Sequence, residues 1–128
     1  MKKSIFAFML ALTIMATFVN CKHDPEGLNS VPPICFDRQI QPIFESNCNM
    51  AGCHGASSEE GYDFRSYAGI MSGVTPNDPN NSEVYKVITT KWGQLMPPKG
   101  SNPLNEEQRS LIYVWIMQGA TDTVTCAN

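Results

Sequence analysis

Apolar residues come in short clusters along this chain, separated by polar stretches rich in Pro, Gly and Asn. Behind Lys2 and Lys3 the chain is almost continuously apolar from Ile5 to Val19. That run is too short and too interrupted by threonine to be a good membrane span, and it predicts a secretory signal peptide over residues 1–20. Residues 22–33 show no apolar period and read as a tether. Ile40, Ile43 and Phe44 then fall on one helical face, predicting a helix with Asp37 as N-cap that runs towards Asn47. Pro42 inside that helix should kink or restart it.

A short helix is predicted near Phe64 to Met71, with Tyr67 and Ile70 inward. Residues 75–81 form a loop, and Ser82 caps a helix through Tyr85, Val87 and Ile88 to about Thr90. The stretch from Trp92 to Pro103 is irregular. Asn105 with Gln108 makes a capping-box start for the last helix, which ends at Gly119 in the C′ position. Its apolar residues Leu111, Ile112, Val114, Trp115, Ile116 and Met117 cover more than one face. Nowhere does the chain alternate as a strand would, so the expected fold class is a small all-α domain.

Five cysteines change the picture. Cys48-Asn49-Met50-Ala51-Gly52-Cys53-His54 places two thiols before a histidine, as the Cys-x-x-Cys-His attachment signature of c-type haem does, but with four intervening residues. Two thiols can add to the two haem vinyl groups, and an imidazole beside the second can bind iron as proximal ligand. Two plainer readings compete. Cys48, Cys53 and His54 would make three ligands of a zinc site that needs four, and Cys48 and Cys53 would make an ordinary disulfide.

Cys21 follows the signal and predicts a lipid-bearing N-terminal cysteine, against the alternative of a soluble secreted protein cleaved nearby. Residues 21–33 then tether residues 34–128, one domain in the cell envelope on a periplasmic or cell-surface face. Cys35 and Cys126 remain at the two ends of that domain, either bridged or as two unpaired thiols. Export favours the bridge, which could contribute about 4–5 kcal/mol. Without Lys2 and Lys3 the net charge of −3 becomes −5, which disfavours nucleic acid and suits a redox partner with a basic patch.

A six-coordinate haem needs a second axial ligand, and methionine sulfur is one that raises the potential. Of Met50, Met71, Met96 and Met117, Met50 lies in the attachment loop and Met71 and Met117 complete helix faces. Met96 sits in a non-helical loop stiffened by Pro97 and Pro98, against the alternative of loop packing. Trp92, Tyr85 and Tyr67 are candidates to pack on a porphyrin, and equally candidates for plain core. With so small a core, haem would serve as a core element, and the haem-free chain should fold poorly.

The run Ile40-Gln41-Pro42-Ile43-Phe44, Asn47-Cys48, Cys53-His54-Gly55, Asp63-Phe64-Arg65-Ser66-Tyr67, Ser82 to Ile88, Met96-Pro97-Pro98 and Leu104 to Ala120 resembles the class I, planctomycete-type cytochromes c of exported bacterial proteins. The resemblance implies a mono-haem cytochrome c fold, first and last helices crossing beside the haem, with His54 proximal and Met96 distal. It also implies that Cys35 comes near Cys126. The function it implies is electron transfer by one covalently bound haem c. The competing readings are a peroxidase-type haem enzyme or gas-binding sensor with a labile distal ligand, and a cysteine-stapled module without haem.

Overall fold

In the computed structural model, described over residue 27 and residues 30–50, 52–56, 61–91 and 93–123, four α-helices surround one apolar core. They are α1 (Gln41–Asn47), α2 (Tyr67–Met71), α3 (Glu83–Thr89) and α4 (Glu106–Met117), and there is no strand among the described residues. A π-helical turn, Phe36–Ile40, runs directly into α1, and a 3-10 turn, Pro79–Asn81, precedes α3. The all-α class expected from the pattern is the class observed.

Pro42 restarts the first helix as expected. It sits in the first turn of α1, where its missing N–H costs nothing, and the wide turn before it closes from the Gln41 N–H to the Phe36 carbonyl. A continuous α-helix would have driven the proline ring into the carbonyl of Arg38, four residues back. The N-cap differs from the expected Asp37. Cys35 holds that position with no side-chain cap, and its N–H donates instead to Gln39 Oε1 at 2.9 Å.

The last helix follows its sequence signals closely. Asn105 and Gln108 form the reciprocal capping box, with bonds of 2.8 and 2.9 Å. At its other end Gly119 takes φ 91°, its N–H donates to Ile116, and the Ala120 N–H reaches back to Trp115. That is a Schellman close, for which the left-handed residue is best a glycine.

The first and last helical segments lie side by side in opposite senses. Phe36 stacks near Trp115 with centroids 5.7 Å apart, while Asn47 at the far end of α1 accepts from Gln108 Nε2 at 3.3 Å. Gln118 Oε1 accepts from the Ile34 N–H at 2.8 Å, and its amide donates to Val31 and Pro32, so the segment 31–34 is docked on the C-terminal end of α4. Ile40, Phe44, Ile70, Ile112, Trp115 and Ile116 form the fully buried centre.

Loops are held to the same frame. Ser82 occupies the N-cap of α3, but its hydroxyl does not cap it. Fully buried, it donates to the Asp78 carbonyl at 2.8 Å and accepts from the Thr75 N–H at 2.9 Å, closing the loop over residues 75–82. Tyr67, expected inward, packs edge-on against Phe36 and donates to the Ala120 carbonyl at 2.8 Å.

Candidate haem-binding site

A cavity of about 300 Å³ collects the chemistry-bearing residues. Cys48, Met50, Cys53 and His54 line it from the loop after α1, Tyr62 and Phe64 from the next turn, Val84, Val87 and Ile88 from α3, and Met96, Pro97 and Pro98 from the loop before α4. Its volume lies at the lower end of the range for small-molecule sites. Val84, Val87 and Ile88 reach it together because positions i, i+3 and i+4 share one helix face.

The loop carrying the thiols is pinned at both ends. The N–H groups of Cys48 and Asn49 both donate to the Phe44 carbonyl at 2.9 Å, which ties Cys48 to the last turn of α1. Gly52 takes φ 81° between the two cysteines, and the Cys53 N–H closes back on Met50 at 2.9 Å. Both Cys48 and Cys53 are free and half-buried. Burial, and secondarily the neighbouring Cys53, pushes the Cys48 thiol up to about 11, so it stays uncharged at neutral pH. Gly55 lies beneath the loop, where an added Cβ would come 3.1 Å from the Met50 carbonyl oxygen and 3.1 Å from Asn49 Oδ1.

His54 is oriented by its surroundings. Its ring stacks on Phe64 with centroids 4.5 Å apart, and Nδ1 lies 3.2 Å from the Tyr62 carbonyl oxygen. Only a protonated nitrogen donates to a carbonyl, so in the neutral ring Nδ1 carries the proton and Nε2 keeps its lone pair. Such an outer partner both aims a ligating imidazole and raises its basicity. The turn supplying Tyr62 and Phe64 is braced by Arg65, whose Nε and terminal nitrogen hold the two Asp63 carboxylate oxygens at 2.8 and 2.6 Å. The Phe64 N–H donates to the His54 carbonyl at 2.9 Å, locking turn to loop.

Met96 is half-buried against the core, and its N–H donates to the Val87 carbonyl at 2.8 Å, fastening the methionine loop to α3. Asn47, 1 % exposed, lines the cavity and joins three segments. It donates to the Asn102 carbonyl at 3.1 Å and accepts from Gln108, linking α1, the methionine loop and α4.

The residues present fit a covalently held haem. Two free thiols, one imidazole with its Nε2 lone pair and one thioether line a single cavity whose remaining surface is mainly aromatic and aliphatic. No group of three or more His, Cys, Asp or Glu side chains is placed to hold a bare metal ion among the described residues.

Sequence reasoning identified Cys48, Cys53, His54 and Met96, and these are brought together. Tyr67 and Tyr85 are not in the lining: Tyr67 belongs to the junction with α4, and Tyr85 packs on Tyr113 at 5.5 Å. Phe44, Tyr62, Phe64, Val84 and Asn47 were not anticipated as lining. The helical spacing of Val84, Val87 and Ile88 was the one available signal; the aromatic cluster depends on a turn that brings Tyr62 back to His54. Cys21, His23, Trp92 and Cys126 lie outside the described residues.

Residues 51–100 match the family described as planctomycete cytochrome C. The matched stretch includes Cys53, His54 and Met96 and begins just after Cys48, and it supports a cytochrome c-type domain. No curated protein and no solved structure matches the chain.

Proposed function

We propose that this chain is an exported electron carrier with one haem c, which Cys48 and Cys53 would hold covalently and His54 and Met96 would ligate. The observation that carries the reading is the convergence of these four side chains on one cavity from two segments of chain. Haem, when bound, supplies a one-electron Fe(II)/Fe(III) couple. The chain's own residues do the rest. The Tyr62 carbonyl holds the proton on His54 Nδ1, Phe64 fixes the ring plane, and the bond from Met96 to Val87 limits the travel of the thioether. Phe44, Val84, Val87 and Ile88 supply apolar walls that would keep water from the group, and two strong protein ligands would favour electron transfer over substrate binding.

Lipid attachment at Cys21, release of residues 1–20 and placement in the cell envelope belong to the same proposal. Their support is the sequence pattern, and no helix among the described residues is long and apolar enough to cross a membrane. A bridge between Cys35 and Cys126 is proposed likewise. Cys35 is buried and disulfide-bonded, while Cys48 and Cys53 are free.

The test is protein produced alongside cytochrome c maturation machinery. Haem should remain with the denatured chain, mass spectrometry should show one haem per chain, and the spectrum should be low-spin with a sulfur–iron charge-transfer band. Haem that extracts into acidified organic solvent would overturn covalent attachment. A high-spin spectrum would replace the carrier with a haem enzyme or gas sensor.

A further inference from the structure

Asn47 is the last residue of α1, next to Cys48, and it is buried at the edge of a cavity with mainly apolar walls. A buried amide needs hydrogen-bond partners, and here the partners also fix its orientation. The Asn105 N–H donates to Gln108 Oε1 at 2.9 Å, which leaves Gln108 Nε2 to donate to Asn47 Oδ1 at 3.3 Å. Ser46 Oγ donates to the same oxygen at 2.8 Å. With Oδ1 so engaged, the other end of the amide, Nδ2, donates to the Asn102 carbonyl at 3.1 Å.

The methionine loop is thereby fastened at two points. On one side the Met96 N–H donates to the Val87 carbonyl at 2.8 Å. Further on, the Ser101 N–H closes on the Pro98 carbonyl at 3.0 Å, and the next residue, Asn102, is the one that Asn47 holds. A loop fastened only at Met96 would leave residues 97–102 freer to move, and their backbone entropy would favour an open form. Asn47 is also the immediate neighbour of Cys48, whose N–H is tied to the Phe44 carbonyl. One amide thus joins the segment bearing the first thiol to the loop bearing the thioether.

We infer that Asn47 is a positioning residue for Met96: its amide latches the methionine loop to the attachment segment and sets how readily another ligand displaces the Met96 sulfur. The inference rests on the proposed electron-carrier function. The latch is made only while the loop is closed, so removing it weakens the closed form against the open one and leaves the thioether itself unaltered. A buried hydrogen bond between neutral groups is worth about a factor of ten in such an equilibrium.

Imidazole tests this on the full haem-bearing protein, with loss of the sulfur–iron band reporting displacement of Met96. Asn47→Leu should bind imidazole about tenfold more tightly than the unaltered protein. Gln118→Leu removes the bond to the Ile34 N–H at the other end of α4. It should lower the denaturation midpoint and leave imidazole affinity within about twofold. Equal affinity in all three proteins, or an equal rise in both variants, would overturn the inference, because general loosening affects both alike. Should Asn47→Leu fail to fold, the unaltered protein decides alone. Its Asn47 side-chain amide protons should lose their protection from solvent exchange in step with the band as imidazole is added. Protection that survived complete loss of the band would show the loop opening with this bond intact, and would overturn the inference. An unaltered protein with no sulfur–iron band would instead count against the carrier reading. Faster exchange of the Met96 and Ser101 amides in Asn47→Leu than in Gln118→Leu would then still show the latch, and equal exchange would refute it.

Discussion

Met96 and Asn47 illustrate two ways in which one side chain can matter at this site. Met96→Ala should abolish the sulfur–iron band and lower the reduction potential, because the thioether is the softer ligand that favours Fe(II). Met96→His should restore a low-spin spectrum at a lower potential; an unchanged spectrum and potential in Met96→Ala would assign the ligand elsewhere. Asn47 touches no iron in this scheme, yet it satisfies the Asn102 carbonyl and the Gln108 amide from a position 1 % exposed. Asn47→Leu strands both partners and should cost about 2 kcal/mol, read as a lower denaturation midpoint at an unchanged denaturant slope.

The short elements are held by capping and by close backbone approach rather than by length. In α2, an added Cβ at Gly69 would stand 1.6 Å from the Asp63 carbonyl oxygen, which no side-chain rotation relieves. Gly69→Ala should therefore destabilise by about 3 kcal/mol or more, and it should disturb the turn that carries the Tyr62 carbonyl to His54. The ion pair in that turn gives a pH signature. The Arg65 side-chain bond, then its backbone bond, holds the Asp63 carboxyl down to about 2 from an ordinary 3.8. A depressed acid adds stability above its unfolded value and loses it as pH falls through the folded one. Unfolding midpoints of the native protein and Asp63→Asn should therefore differ most above pH 3.8 and converge as pH falls towards 2. Both side chains are about half exposed, so added salt should shrink the difference.

For the molecule as a whole, the cavity and the core are one structure. Phe44, Phe64, Val84 and Ile88 belong both to the buried cluster and to the lining. A chain without haem would leave those surfaces against water, so it should bind hydrophobic dyes and melt at lower temperature than the haem-bearing protein. Each kcal/mol lost is worth about 4–8 °C in a domain of this size. Reducing the Cys35 disulfide should likewise lower the melting temperature, through a less constrained unfolded chain, and leave the absorption spectrum of the folded protein unchanged. Loss of the sulfur–iron band on reduction would show that the bridge also positions the site.

By itself the sequence determined whatever depends on neighbours along the chain. The Asn105–Gln108 capping box, the Gly119 close, the restart at Pro42 and the sequence-adjacent pair Cys53-His54 are local devices, legible because their partners lie within a few residues. The thiol and imidazole types, and the methionine before two prolines, also announced their chemistry. Only the tertiary structure decided matters of long-range packing. It assigned Ser82 to loop closure instead of capping and sent Tyr67 to the α4 junction rather than the cavity. It also set the Tyr62 carbonyl against His54. A hydroxyl, a phenol or a carbonyl bonds whatever the fold brings within 3 Å, and that neighbour is fixed by how helices far apart in sequence pack together.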